Sequence, residues 1–353
     1  MNETLAQVLE LVRQPAFLVC EDLIRWCNSA AQGLLRPDAP IVHYFDDLGN
    51  LYKLWNRKGT LQIPLTIHGD SYEASVQATA DGDLFVVSRN EPFQNEGALT
   101  AMQAAISLRR PLTALRTAAE GIFAELESHD ALQLGSEMNR ALYQLRRLSE
   151  QMFDGGRLLL HRKHAQRSLT DLCEFTRDFL SQLRPIIETD GWKLEAVLPG
   201  EPLSGAIDRS LLEQALLNLL SNALLYTRRG GKIRVELQKQ GRFILFHVDD
   251  SGEGMEHSSH ISAEQSMDPR KGIGFGLQIV QEVARLHGGT LALAGCGPEG
   301  GVRASISILP ESAVLELRSS RLSFDRSTVG ERGLIALSDA LSAELYNTDD
   351  VQA

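Results

Sequence analysis

The chain is short of cysteine, of long apolar runs and of positive charge, and each shortage removes a class of function. Its four cysteines, Cys20, Cys27, Cys173 and Cys296, form no CxxC pair and no metal-ligand spacing. They read as buried thiols of a reducing compartment and not as a disulfide frame or a zinc site. No window approaches the roughly 18 uninterrupted apolar residues that a membrane span requires. The opening MNETLAQVLELVRQP is acidic and lacks the basic start and apolar core of a secretion signal, so a cytoplasmic protein without membrane contact is expected. Lysine and arginine number 35 against 46 aspartates and glutamates, a formal charge of −11 spread along the chain. Without a basic stripe, nucleic-acid binding is not expected. There is no internal repeat and no low-complexity tract, and histidine is absent from Gly69 through Ser128.

What is present is enough chain, 353 residues, for two or three domains with their own cores. The densest information lies between Leu211 and Val280. Leu212, Ala215, Leu216, Leu219, Leu220 and Ala223 recur at helical spacing, and Asn218 and Asn222, four apart, project from one face of that helix. Lys232 to Leu237 and Phe243 to Val248 alternate as two neighbouring strands. The second ends in Asp250, Gly252 and Gly254. A carboxylate at a strand end accepts hydrogen bonds from an amine such as that of adenine, and the glycines let backbone approach a planar ring. Gly272, Gly274 and Gly276 then precede a helical pattern through Leu277, Ile279, Val280 and Val283. A glycine-rich turn at a helix start offers free amide hydrogens to phosphate oxygens.

The ordered set of asparagine helix, DxGxG and GxGxGL resembles the Bergerat ATP-binding fold shared by histidine kinases, gyrase, the Hsp90 chaperone and the MutL repair proteins. The resemblance covers roughly Leu169 to Pro310. It implies that Asn218 and Asn222 hold Mg²⁺ and phosphates, that Asp250 reads adenine, that Gly252 and Gly254 line the base pocket, and that Gly272, Gly274, Gly276 and Leu277 form the phosphate cap. LHGGTLALAG followed by EGGVRASISILP, Leu286 to Pro310, is most similar to the histidine kinases.

The flanking regions fit the same likeness. The order PAFLV, turn, IRWCN and a small-residue helix NSAAQGLL resembles the opening of a PAS sensor domain, with Asn28 or Ser29 as the helix N-cap. Leu61 to His68, Tyr72 to Ala78 and Leu84 to Ser88 alternate as antiparallel strands, and the lone histidines His43 and His68 read as surface or packing residues. Leu99, Met102 and Ile106, then Leu112, Leu115, Ala119 and Ile122, form two stripes whose phase breaks near Pro111, where a bend is expected. Leu134, Met138, Ala141, Leu145, Leu148 and Met152 form a second helix of an antiparallel hairpin, which pairs with another copy into a four-helix bundle. The expected fold is therefore α+β and multidomain: a PAS-like α/β sensor at 1–90, a dimerising helical hairpin at 91–166, a Bergerat α/β sandwich at 167–311 and a polar tail at 312–353. Within that tail Leu334, Leu337, Leu341 and Leu345 fit a short amphipathic helix, either docked or part of an unstructured tail.

The likeness breaks at the chemistry. SLRRPLTALR, Ser107 to Arg116, is similar to the family's phosphoacceptor box, and aligning Leu108, Arg109, Pro111 and Leu112 puts Ile106 at the histidine and Ser107 at the acidic base. An aliphatic side chain has no lone pair to attack a γ-phosphorus. Leu225 stands where the family carries a lysine, with Arg228, Arg229, Arg270 and Lys271 as candidate replacements, and the segment between Met255 and Gly272 is short and polar. The resemblance thus implies a homodimeric, cytoplasmic sensor histidine kinase homologue of two-component signalling. It would bind ATP and Mg²⁺ as a pseudokinase and act through contacts with a response regulator or another signalling protein. An active kinase of the same fold, phosphorylating a partner protein as the bacterial anti-sigma serine kinases do, is the alternative. A gyrase- or MutL-like ATPase needs a transducer domain after the pocket, for which the tail is too short.

Overall fold

A computed structural model describes residues 9–10, 12, 14–44, 52–53, 55–89, 95–123, 129–160, 165–252, 254, 275–295, 300–310 and 327–346. The chain opens with strands β1 (Ala16–Cys20) and β2 (Leu23–Cys27), followed by the meander β3 (Thr60–Ile67), β4 (Asp70–Thr79) and β5 (Gly82–Arg89). Their alternation is regular: in β3 every second residue, Leu61, Ile63, Leu65 and Ile67, is buried. The NSAAQGLL run forms hydrogen-bonded turns and no regular helix. Asn28 ties this run to the chain before β1, its amide bonding the carbonyls of Leu9, Val12 and Gln14 and its Oδ1 accepting from the Ala16 and Ala31 amides. It acts as a latch across the chain's first turns as well as a cap.

Two long helices follow, α1 (Asn95–Phe123) and α2 (His129–Leu159), packed side by side. Helix α1 is continuous through Pro111, the position at which a bend is expected. Few of its apolar residues find cover. Ala105, Ala119 and Phe123 are buried, while Ile106, Leu115 and Ile122 are 50%, 53% and 55% exposed.

The C-terminal half is built from β6 (Ser168–Asp171), α3 (Leu172–Thr189), β7 (Lys193–Val197), β8 (Ser204–Ile207), α4 (Arg209–Tyr226), β9 (Lys232–Gln240), β10 (Phe243–Asp250), α5 (Phe275–Leu286), β11 (Leu291–Gly295) and β12 (Val302–Ile308). Strand β7 lies parallel to β9, and the remaining pairs are antiparallel. Helices α3, α4 and α5 cover one face of this sheet. Phe175, Phe179, Leu212, Leu216, Leu220, Ile279 and Val283 meet Ile233, Val235, Ile244, Phe246 and Val248 there in one core.

The two sheets are continuous. Edge strand β3 pairs with β11, Gln62 opposite Leu293 and Leu61 opposite Ala294, giving the ten-strand order β2-β1-β5-β4-β3-β11-β12-β10-β9-β7. Gly59, at φ +61°, and Gly295 pass each other backbone to backbone, and a Cβ on Gly59 would lie 3.1 Å from the Gly295 carbonyl oxygen, tighter than ordinary contact. Strand β10 serves both cores: Ile244, Phe246 and Val248 face the helices, while Phe243 and Leu245 join the apolar cluster of the N-terminal half.

The C-terminal segment resolves the choice left open for the leucine series. Helix α6 (Ser327–Ala336) and the residues after it bury Val329, Leu337, Leu341 and Tyr346 against the core of the C-terminal half. Among the described residues no helix is long and apolar enough to cross a membrane.

Two buried histidines make this core pH-sensitive. His287 donates from Nδ1 to the Val283 carbonyl and accepts at Nε2 from the Asp208 amide, which fixes it as the neutral ring. His247, between Ser305 and Gln238, is pushed down to about 4 by burial first and by Arg303 second. The unfolded chain takes up that proton near pH 6.5 and the native state does not. Native stability is therefore lost as pH falls from about 6.5 toward 4, by at most about 3 kcal/mol for His247. Burial raises the carboxyls of Glu213 and Asp250 and works in the opposite sense. Comparing urea midpoints of the native chain and His247→Gln between pH 7.5 and 4.5 isolates the effect, and equal slopes in both proteins would refute it.

Candidate functional site

Helix α4 positions the site. Asp208 caps it, its Oδ1 accepting from the Leu211 amide at 3.1 Å, while its Oδ2 accepts from the Gln166 amide at 2.8 Å. One carboxylate therefore fixes the helix start and the chain arriving from the hairpin. Leucines and alanines bury nearly all of the helix, so the asparagines stand out as polar positions on it. Asn218, 8% exposed, donates from Nδ2 to the Gln214 carbonyl at 2.8 Å and turns its Oδ1 outward. Asn222, one turn on, is half-buried.

The start of α5 comes directly against this face: a Cβ placed on Gly276 would lie 3.2 Å from Asn218 Oδ1, so the backbone passes the asparagine at side-chain distance. Leu277 packs half-buried on the core behind it. Gly272 and Gly274 lie outside the described residues, as do Arg270 and Lys271.

Asp250 ends β10 at the far end of α4. Its Oδ1 accepts from the Gly252 amide at 2.8 Å and the Val302 amide at 3.1 Å. Among the described residues no donor reaches its Oδ2. Burial raises the carboxyl and the two backbone bonds oppose that rise. Gly252 sits on the Tyr226 carbonyl so closely that a Cβ has no space, Gly301 presses on the Asp250 carbonyl, and Gly254 adopts φ +78°. Eight residues of helix separate Asn218 from Tyr226, about 12 Å along the axis.

The structure brings Asn218, Gly276 and Leu277 together at one end and Asp250, Gly252 and Gly254 at the other. Leu225 is half-buried. Of the candidate cations, Arg229 is drawn off to Asp190 at 3.2 Å and to the Trp192 ring, while Arg228 is exposed. Ile106 and Ser107 lie on the exposed side of α1, and the Ser107 hydroxyl is spent on the Gln103 carbonyl at 3.0 Å. His43 is exposed, and His68 has its Nε2 bonded with the Leu34 carbonyl.

Sequence reading missed two participants. Gln151 of α2 donates to Asn218 Oδ1 at 3.2 Å, and Gln214 donates to Asp154 at 3.4 Å, so the hairpin lies against the asparagine face. Nothing local marks Gln151, which sits beside Met152 on an ordinary amphipathic helix. Val302, the other, follows the EGG turn of the histidine-kinase-like segment, and the Gly-Gly pair there was the available signal.

Comparisons with known proteins place this geometry. Residues 207–313 match the family model of histidine kinase-, DNA gyrase B- and HSP90-like ATPases. The histidine protein kinase DivJ of Caulobacter vibrioides is 30% identical over 173 residues, covering 46% of this chain and 29% of DivJ. The sensor protein BasS of Escherichia coli is 27% identical over 321 residues, 89% of this chain and 83% of BasS. The chain spans less than half the length of several such relatives, including 42% of the sensor histidine kinase YvrG of Bacillus subtilis. Full-length ShkA in complex with AMPPNP has a similar fold, with a TM-score of 0.50 at 19% identity, over 63% of this chain and 48% of that one.

Proposed function

We propose that the chain, whose residues 207–313 match the histidine kinase-, DNA gyrase B- and HSP90-like ATPase model, is an ATP-binding signalling protein of the sensor histidine kinase kind that has lost its own phosphoacceptor histidine. What carries this reading is the arrangement of Asn218 and Gly276 at one end of α4 and Asp250 and Gly252 at the other, beside an aliphatic residue at the acceptor position, since Ile106 has no nucleophilic atom.

In this reading Asp250 accepts the adenine amine at the oxygen its backbone bonds leave over, and Gly252 and Gly254 flank the base. Gly272, Gly274, Gly276 and the first turn of α5 take the phosphates. Asn218 and Asn222 would hold Mg²⁺, which neutralises phosphate charge when bound. ATP then acts as a conformational ligand, and the output is a contact with a response regulator or another signalling protein. The N-terminal five strands serve as a PAS-like sensor in the cytoplasm, the hairpin as the dimerisation unit, and 167–311 as the ATP-binding unit. The exposed apolar residues of α1, joined by Leu134 and Leu145 of α2, are the surface on which a second copy would complete a four-helix bundle.

Asp250→Asn keeps an acceptor for the Gly252 and Val302 amides but removes the charge offered to adenine, so ATP affinity should fall about tenfold or more with folding retained. Calorimetry on the full chain measures this, and unchanged affinity would remove Asp250 from the base pocket. Incubation with γ-labelled ATP should leave no acid-labile label on the native chain. Ile106→His with Ser107→Glu should restore at most part of it, because Leu225 leaves the γ-phosphate without its usual cation and an error of about an ångström in placement costs around a hundredfold in rate. Label on the unmutated protein would mean that another histidine is the acceptor. Light scattering should return a dimer, and Leu115→Glu with Ile122→Glu on the solvent face of α1 should return a folded monomer. A native monomer would discard the bundle.

A further inference from the structure

The C-terminal segment 327–346 touches both the helical hairpin and the ATP-binding unit, and it is the most heavily bonded bridge between them. Toward α2 it offers carbonyls and two carboxylates, of which Glu331 takes Arg146 at 2.8 Å on the exposed side. Arg147 pairs with Asp339, both largely buried. Arg140 donates to the Ser338 and Asp339 carbonyls at 3.1 and 3.2 Å, and Gln144 donates to Ser338 at 3.2 Å. Asn139 reaches the Tyr346 carbonyl at 3.1 Å, and the rings of Tyr143 and Tyr346 meet edge to face at 5.0 Å.

Toward the ATP-binding unit the same segment is fastened just as firmly. Arg332 pairs with the buried Glu213 of α4 at 2.9 Å, and the Ser342 amide donates to Asp190 at 2.9 Å. Gly333 lies so close to Leu183 of α3 that a Cβ would collide with it. The segment is therefore anchored on α3 and α4 by apolar burial and by these two polar contacts, and it grips about two and a half turns of α2, Asn139 to Arg147, by polar contacts.

That grip has a consequence one helical turn further along. Gln151 follows Arg147 by four residues on α2, and its amide is the donor that occupies Asn218 Oδ1. Any ligand that needs this oxygen competes with Gln151, and Gln151 is held there by the bonds of its own helix to the C-terminal segment. We propose that residues 327–346 form an intramolecular clamp that holds α2 on the asparagine face of α4 and thereby opposes nucleotide binding, a device that rests on the nucleotide-site reading above. Opening the clamp releases the asparagine. Affinity then rises by the inverse of the fraction of molecules already open.

The test uses the full chain with three variants. Gln151→Ala removes the competing donor. Asp339→Asn keeps the shape of the clamp but takes away the charge that binds Arg147, and Glu195→Gln, at an exposed ion pair on β7 with Lys232, serves as a control remote from both. ATP dissociation constants by calorimetry should fall about fivefold to tenfold for Gln151→Ala and Asp339→Asn and stay within twofold for the control. Hydrogen exchange should show residues 327–346 losing protection when ATP saturates the native chain. Nucleotide binding that is the same in all four proteins, with unchanged protection of the segment, would overturn the clamp while leaving the pocket standing. No binding in any of them, Gln151→Ala included, would overturn the pocket reading and the clamp with it.

Discussion

Helix α4 has almost no surface left for water, and most of the structure is arranged around that burial. Sheet residues cover one side, α3 and α5 the flanks, and the C-terminal segment and α2 the remainder. Each fully buried leucine contributes about 1.5–3 kcal/mol, so the helix is a large share of the domain's stability. The same burial raises the stakes for every polar group on it. Glu213 is held in place by Arg332, and Asn218 divides its amide between Gln214 and Gln151. An unpartnered amide there would cost roughly 1–3 kcal/mol, so the hairpin's contact with Asn218 is part of how the helix tolerates its own polar residue.

The second organising element is the sheet that runs through both halves. Because the side-chain period of a strand is two, β10 presents one row to each core, and the ten-stranded sheet leaves the N-terminal half no edge of its own at β3. Strand β11 is bonded to β3 on one side and to β12 on the other, and β12 opens with Val302, whose amide holds Asp250. The N-terminal half and the Asp250 end of the site are thus two strands apart. Substitutions at the seam between Gly59 and Gly295 should not be additive with those near Asp250, since they share backbone.

Local pattern carried much of this fold because it reports which face of an element is buried. The strands at Thr60–Ile67, Asp70–Thr79, Gly82–Arg89, Lys232–Gln240 and Phe243–Asp250 lie within two or three residues of where alternation set them, and α5 begins beside the last glycine. Pattern does not report what covers a face. Leu334, Leu337 and Leu341 were legible as a stripe, but the cover for them comes from Leu183 and its neighbours, some 150 residues earlier in the chain. The β3–β11 pairing was invisible for the same reason, since an edge strand's hydrogen-bonding groups are identical whatever they meet. Asn28 was read as a cap and is one, yet its amide also binds three carbonyls upstream, which no local spacing encodes.

The hairpin and the pocket are held by the fold in different ways, and this bears on why one can change without the other. At Ile106 the side chain is half exposed on a solvent face, and Ser107 satisfies its hydroxyl on the preceding turn, so the two substitutions disturb no packing in the described chain. The pocket residues have structural duties as well. Asp250 fastens the amides of Gly252 and Val302, Gly252 admits the end of α4, and Gly276 admits Asn218. Replacing any of them disturbs backbone as well as any ligand. A change at Ile106 or Ser107 is therefore nearly free of structural cost, whereas one at Asp250, Gly252 or Gly276 is not. These glycine, asparagine and aspartate positions consequently speak for a folded unit and, taken alone, carry no weight for phosphoryl transfer.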